Sequence, residues 1–196
     1  TRLAASAANR IGAGLVTVLS RSRTEFYQGC LPPDIIVRVD DHIPKGEYDV
    51  LLIGPGGVLG DQKRLILQLP GKQARVIDAG ALPGPGDSIT LGPNSIMTPH
   101  EGEFTRVFSD IHGSREERAL KAATRTGACI LLKGPQTLIA HPDGRLVVND
   151  RPNPYLAKAG SGDVLAGFIA GLMAQGMDAF QAGCAGAWCH SECADR

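Results

Sequence analysis

The chain has 196 residues, and its 20 Lys and Arg are balanced by 20 Asp and Glu, so the formal net charge is zero. A surface that neutralises phosphate backbones carries a basic excess or a Lys/Arg run. The longest basic grouping here is Arg21-Ser22-Arg23, which argues against a nucleic-acid partner. Hydrophobic residues at 43% suffice for one sizeable core, and 25 Gly and 13 Pro beside 5% aromatics suit small side chains packed between helices and a sheet rather than disorder.

In chain order, Leu3-Ala4-Ala5-Ser6-Ala7-Ala8 reads as a helix already under way, so further chain is expected ahead of Thr1. Short apolar runs follow at Leu15-Val16-Thr17-Val18, Ile35-Ile36-Val37, Val50-Leu51-Leu52-Ile53, Val76-Ile77 and Ile130-Leu131-Leu132. Continuous runs of that length predict strands buried on both faces. Between them, Gly60 to Leu69 and Arg115 to Thr126 read as helices, the second opened by the capping box Ser114-x-x-Glu117. Strand and helix in alternation predict an α/β fold around a mostly parallel sheet. Thr137-Leu138-Ile139-Ala140 and Arg145-Leu146-Val147-Val148, joined at Pro142-Asp143-Gly144, add a hairpin and hence antiparallel strands near the end. From Gly162 to about Ala194 two packed helices are expected, separated near Gly176-Met177-Asp178.

No linker divides the chain, so residues 1–196 read as a single domain. The longest mostly apolar stretch, Val164 to Met177, is interrupted by glycines and is shorter than the roughly 18 to 20 apolar residues a bilayer requires, so no membrane partner is expected. Five cysteines, an odd number, and no visible signal peptide point to a reducing, cytoplasmic setting. A homo-oligomer is expected.

Four segments could carry chemistry. Ala159-Gly160-Ser161-Gly162-Asp163 precedes the run Val164-Leu165-Ala166-Gly167-Phe168-Ile169. Glycines there let a ligand approach the backbone, and the helix start offers free N–H groups and a positive dipole end, which is an anion site with Asp163 in the first turn. The plainer reading has Ser161 capping the helix and Asp163 complementing its dipole. Gly54-Pro55-Gly56-Gly57 follows the strand 49–53, where α/β sheets bind ligands. A dinucleotide fingerprint with Asp78 as ribose acid fits poorly, because Gly60 is misplaced for it; a tight turn is the simple alternative. In Thr98-Pro99-His100-Glu101-Gly102-Glu103-Phe104 a strand end passes into a helix near Glu101, with His100 suited to a site near neutral pH. Lys133-Gly134-Pro135-Gln136-Thr137 again follows a strand, and Lys133 could meet a phosphate or merely be a solvated turn lysine. Cys184, Cys189, His190 and Cys193 lack the paired spacing of a zinc site and read as buried thiols packing the last helices. Convergence favours function, since in a parallel sheet all those strand ends lie on one rim.

The segment from Ala159 to Gly167, followed by Gly171-Leu172-Met173-Ala174-Gln175-Gly176, resembles the signature of the ADP- or ATP-dependent NAD(P)H-hydrate dehydratases of the ribokinase-like superfamily. Thr98 to Phe104, Lys133-Gly134-x-x-Thr137, Gly54-Pro55-Gly56 and Gly12-Ala13-Gly14-Leu15-Val16-Thr17-Val18 resemble that family's other motifs in the same order. The resemblance implies a ribokinase-like fold and repair of NADHX and NADPHX, the hydrated forms of NADH and NADPH, with ADP or ATP as co-substrate and Mg²⁺ accompanying it. It implies catalytic roles for Asp163 as base and for Gly160, Ser161 and Gly162 as phosphoryl cradle. Gly54, Gly56, Gly57, His100 and Asp163 would contact the hydrated dinucleotide. Lys133, Gly134, Pro135, Gln136, Thr137 and Gly162 would line the nucleotide. No dedicated metal-ligand residue is expected. A kinase of a small alcohol, of the hydroxymethylpyrimidine or hydroxyethylthiazole type, and a silent nucleotide-binding module remain the alternatives.

Overall fold

The computed structural model describes residues 1–20, 23–39, 48–57, 67–69, 72–85, 87 and 89–194. The strands are β1 (Val16–Leu19), β2 (Ile35–Arg38), β3 (Val50–Ile53), β4 (Ala74–Ile77), β5 (Ser95–Met97), β6 (Cys129–Leu132), β7 (Thr137–Ala140) and β8 (Leu146–Asn149). The helices are α1 (Arg2–Arg10), α2 (Thr24–Cys30), α3 (Glu101–Val107), α4 (Arg115–Thr126), α5 (Ser161–Ala174) and α6 (Ala179–Ala194). The helix expected over 60–69 lies outside the described residues except for 67–69.

A six-stranded sheet runs in the order β3-β4-β5-β6-β7-β8, with β1 and β2 as a separate parallel pair. Strands β3 to β6 are parallel, while β7 and β8 are antiparallel to their neighbours, as the Pro142-Asp143-Gly144 turn requires. Because successive strand residues point to opposite faces, each strand feeds two cores. Ile77, Met97, Ile130 and Leu132 pack with Phe104 and with Ala119, Ala122 and Ala123 of α4. Val76, Ile96 and Leu131 pack on the other face with Leu165 and Ile169 of α5 and Ala182 of α6. The result is three layers, helix on sheet on helix.

Both ends of α4 follow from sequence. Ser114 Oγ accepts the Glu117 N–H while Glu117 bonds back to the Ser114 N–H, and Gly127 stops the helix in a left-handed conformation at φ 65°. Helix α1 lies along α5 in near contact. A methyl added at Gly167 would fall 2.3 Å from the Ala4 carbonyl oxygen, and one at Gly171 would fall 2.8 Å from that of Ala8. The Gly167 and Gly171 of the signature therefore serve helix packing rather than ligand contact. Burial on both faces holds for β4, β5 and β6 but not for β1, β2 and β3, most of whose side chains are half-buried or exposed. For β1 and β3 the reason is that each has one sheet neighbour only among the described strands.

Candidate functional site

Strands β3, β5 and β6 run in one direction, and β8, reversed twice across the hairpins, runs with them. Their carboxyl ends form one rim, from which the four glycine and proline segments emerge.

The segment after β8 leads to α5. Gly160 is the residue preceding this helix and is left-handed at φ 89°; no side chain among the described residues caps it. Ser161 is not the cap expected for it. It is the first helical residue, and its Oγ instead donates to the Leu156 carbonyl at 2.6 Å, which ties down the loop ahead of the helix. A start left open by side chains keeps first-turn N–H groups and the positive dipole end available to an anion. Asp163, half-buried in that first turn, has Oδ2 3.5 Å from the Thr1 nitrogen. Thr1 in turn donates from Oγ1 to the Pro55 carbonyl at 2.8 Å, so the 54–57 turn and Asp163 flank the same residue.

Gly54 holds φ 116°, and a Cβ there would lie 1.7 Å from the Asp78 carbonyl oxygen. Only glycine permits both that angle and that approach. Gly57, at φ 92°, has no atom of the described residues within 4 Å of where its Cβ would lie.

Lys133 is not a solvated turn residue. Its ammonium lies 2.9 Å from Asp78 Oδ1 and 3.9 Å from Glu103 Oε2, and a Cβ on Gly162 would fall 3.3 Å from it. The cation is thus held over the α5 start by two carboxylates. Asp78 is 2% exposed and also accepts the Thr98 hydroxyl at 2.8 Å. Asp78 is therefore no ribose acid but the buried anchor of Lys133. Its signal in the sequence is a lone carboxylate directly after the apolar pair Val76-Ile77.

His100 precedes α3 as its cap. Its Nδ1 accepts from Gly102 and Glu103 N–H at 3.1 and 3.2 Å, and its own N–H donates to Glu103 Oε2 at 2.9 Å. The imidazole stays exposed on the rim, and its backbone bridges that of Lys133.

Gly134, Pro135 and Gln136 form an exposed loop, and Thr137 Oγ1 donates to the Gly134 carbonyl at 3.3 Å. Arg115, which sequence reasoning passed over as a helix-start residue, lies against this loop and donates from Nη1 to the Gln136 carbonyl at 2.8 Å. Glu101 holds Arg115 and Arg118; burial pushes its carboxyl upward, but the hydrogen bonds from the two guanidinium groups outweigh this and leave it below its ordinary range.

His190, weighed above only as a zinc ligand, reaches the site from α6. Burial depresses its imidazole, a hydrogen bond to the Ser161 backbone opposes that, and the Lys133 charge reinforces it. Cys184 and Cys189 are half-buried, whereas Cys193 is exposed rather than buried as expected. Among the described residues no group of three or more His, Cys, Asp or Glu could hold a metal ion, and no helix is long and apolar enough to cross a membrane.

The structure thus sets Gly162 beside Lys133 and places Asp163 and the 54–57 turn on either side of Thr1, while His100 bridges the backbone of Lys133 and residues 134–137 extend from it.

The sequence profile of the NAD(P)H-hydrate dehydratases matches residues 1–196. A bifunctional NAD(P)H-hydrate repair enzyme of Thermosynechococcus vestitus is 35% identical over 212 residues, covering 98% of this chain and 41% of that protein. An ADP-dependent (S)-NAD(P)H-hydrate dehydratase of Neisseria meningitidis is 35% identical over 217 residues, covering 98% of this chain and 71% of the other. This chain therefore spans well under half of the bifunctional relative. An ADP/ATP-dependent NAD(P)H-hydrate dehydratase of Bacillus subtilis, crystallised with ATP/Mg²⁺ and soaked with CoA, superposes with a TM-score of 0.84 at 29% identity, over 98% of this chain and 76% of that one. The fold is the ribokinase-like α/β arrangement.

Proposed function

Because the chain belongs to the NAD(P)H-hydrate dehydratase family, we propose that it restores NADH and NADPH from NADHX and NADPHX at the expense of ADP or ATP. The observation that carries this reading is Asp163 in the first turn of an uncapped helix, beside the Gly160–Gly162 backbone and the Lys133 ammonium.

Hydroxide is a poor leaving group; phosphate is a good one. The ring hydroxyl of the hydrate would attack the terminal phosphoryl of the nucleotide, forming an oxygen–phosphorus bond as the bond to the departing nucleotide oxygen breaks. Asp163 would take the hydroxyl proton. A carboxylate is too weak a base to ionise an alcohol beforehand, so the transfer is late and coupled to phosphoryl motion. First-turn N–H groups and Lys133 would bear the charge on the transferring group. The ring nitrogen lone pair would then expel phosphate, and loss of a proton from the neighbouring carbon would restore the double bond.

The Gly54, Gly56 and Gly57 turn and His100 would border the hydrated dinucleotide. Lys133 to Thr137, with Gly162, would line the adenine nucleotide. A Mg²⁺ ion would arrive on the phosphates, a mode suited to a site where Asp78 and Glu103 are engaged by Lys133 and Asp163 is the carboxylate left in the first turn of α5. When bound, Mg²⁺ would neutralise charge on the phosphates there. Five free thiols support a reducing, cytoplasmic setting.

The test is incubation with NADHX and either nucleotide, following the absorbance of restored NADH and the release of orthophosphate. The proposal expects both signals with one nucleotide at least. A stable phosphorylated product would favour a small-alcohol kinase, and nucleotide binding without turnover a silent module.

A further inference from the structure

We propose that Arg115 is a positioning residue for the adenine nucleotide: it fixes the shape of the loop 134–136, between β6 and β7, that would line this co-substrate. The proposal rests on the nucleotide-lining role given above to Lys133 to Thr137.

The start of α3 holds this loop at both ends. At the near end the backbone of His100 bridges that of Lys133, whose N–H donates to the Pro99 carbonyl at 2.9 Å. At the far end the fastening runs through Arg115. Glu101, the residue after His100, accepts from Arg115 Nε, and Arg115 Nη1 donates to the Gln136 carbonyl at 2.8 Å. One planar fork thus meets a carboxylate and a main-chain oxygen at once, which the single ammonium of a lysine cannot do. Thr137 ties the loop to itself and Gln136 Nε2 ties it to Asp150 after β8, whereas Arg115 ties it to α3 and α4.

Two features separate this contact from an ordinary surface ion pair. The guanidinium lies against Gly134, where a methyl would fall 2.5 Å from Nη2 and 3.2 Å from Cζ. Gly134 does not hold a left-handed φ, so its backbone admits alanine; the three atoms nearest such a methyl all belong to Arg115. The glycine is needed there because of the arginine. In addition, Nη2 is buried with no hydrogen-bond partner among the described residues. A buried unmet donor weakens a fold, so stability does not account for the arrangement. Arg118 also donates to Glu101, at 3.0 Å, and lies over the Phe104 ring, so the carboxylate keeps a cation when Arg115 is replaced.

Calorimetric titration with ADP and with ATP tests this on the parent, Arg115→Lys, Arg115→Ala, Gly134→Ala and the double variant Arg115→Ala/Gly134→Ala. Both Arg115 variants should bind nucleotide about tenfold more weakly, the worth of one hydrogen bond to a charged group. In turnover their KM for nucleotide should rise by a similar factor, while kcat at saturating nucleotide and KM for NADHX change far less. Gly134→Ala should weaken binding comparably, because its methyl displaces the guanidinium, and the double variant should bind no more weakly than either single one. Arg115→Lys, which keeps a cation beside Glu101, carries the test if Arg115→Ala does not fold. Additive losses overturn the proposal, as do Arg115 variants that bind as tightly as the parent or that lose kcat with nucleotide KM unchanged. A parent that binds neither ADP nor ATP overturns it together with the reading on which it rests.

Discussion

Gly54→Ala probes the hinge on which the site is built. The added methyl would sit 1.7 Å from the Asp78 carbonyl oxygen, a backbone atom that no rotamer change can move aside, and the residue would have to keep φ 116°. Backbone strain of about 1–3 kcal/mol and overpacking of about 1–3 kcal/mol together give about 4 kcal/mol. In a domain of this size that corresponds to a fall in melting temperature of roughly 8–16 °C. Gly57→Ala is the internal control, since Gly57 holds φ 92° with nothing among the described residues within 4 Å of the added carbon. It carries the strain without the clash, so its fall should be about half as large. Thermal unfolding of both variants by circular dichroism decides the matter. Equal falls, or a Gly54→Ala protein melting within about 2 °C of the parent, would refute the contact between the 54–57 turn and the end of β4.

Two further outcomes follow from groups whose proton affinity the fold shifts. His190 is depressed below its ordinary 6.5 by burial, so as pH falls through that value the unfolded chain takes up a proton that the folded one resists. Stability should be full above this range and decline below it toward the folded value; urea titrations of His190→Gln should show a flatter pH dependence there, and an unchanged slope would count against the shift. Burial pushes the Cys129 thiol up to about 12, while Cys193 is exposed. Iodoacetamide at pH near 8 should therefore label Cys193 and spare Cys129 until the chain is unfolded, as read by peptide mass spectrometry, because the reactive species is the thiolate. Comparable labelling of both would contradict the buried setting of Cys129.

Much of the fold was legible because its strongest signals are local. Apolar runs marked β3, β4 and β6, and Ser114-x-x-Glu117 marked the start of α4. Pro142-Asp143-Gly144 announced the hairpin and hence the change from parallel to antiparallel pairing. What stayed hidden depends on contacts distant in sequence. Ser161 looked like a cap, yet its hydroxyl is drawn back to Leu156. Lys133 looked like a turn lysine, and only the register of β4 beside β5 and β5 beside β6 brings Asp78 beneath it. Arg115 opens α4 as its sequence suggests, but its guanidinium also meets the loop between β6 and β7, which no local signal shows. Gly167 and Gly171 belong to a motif that reads as functional, but their glycine requirement comes from α1 lying against α5. The half-buried faces of β1 and β3 could not be foreseen either, since an apolar run does not say how many strands flank it.

The central claim is that Asp163 takes the proton from the attacking hydroxyl, and Asp163→Asn tests it most directly. The amide has nearly the same shape and can still follow the Gly160–Gly162 backbone into the helix, but it cannot accept a proton as a base. With NADHX and nucleotide, kcat should fall about 10²- to 10⁴-fold, while nucleotide affinity and melting temperature stay near those of the parent. A variant that turns over within a few-fold of the parent would contradict the assignment.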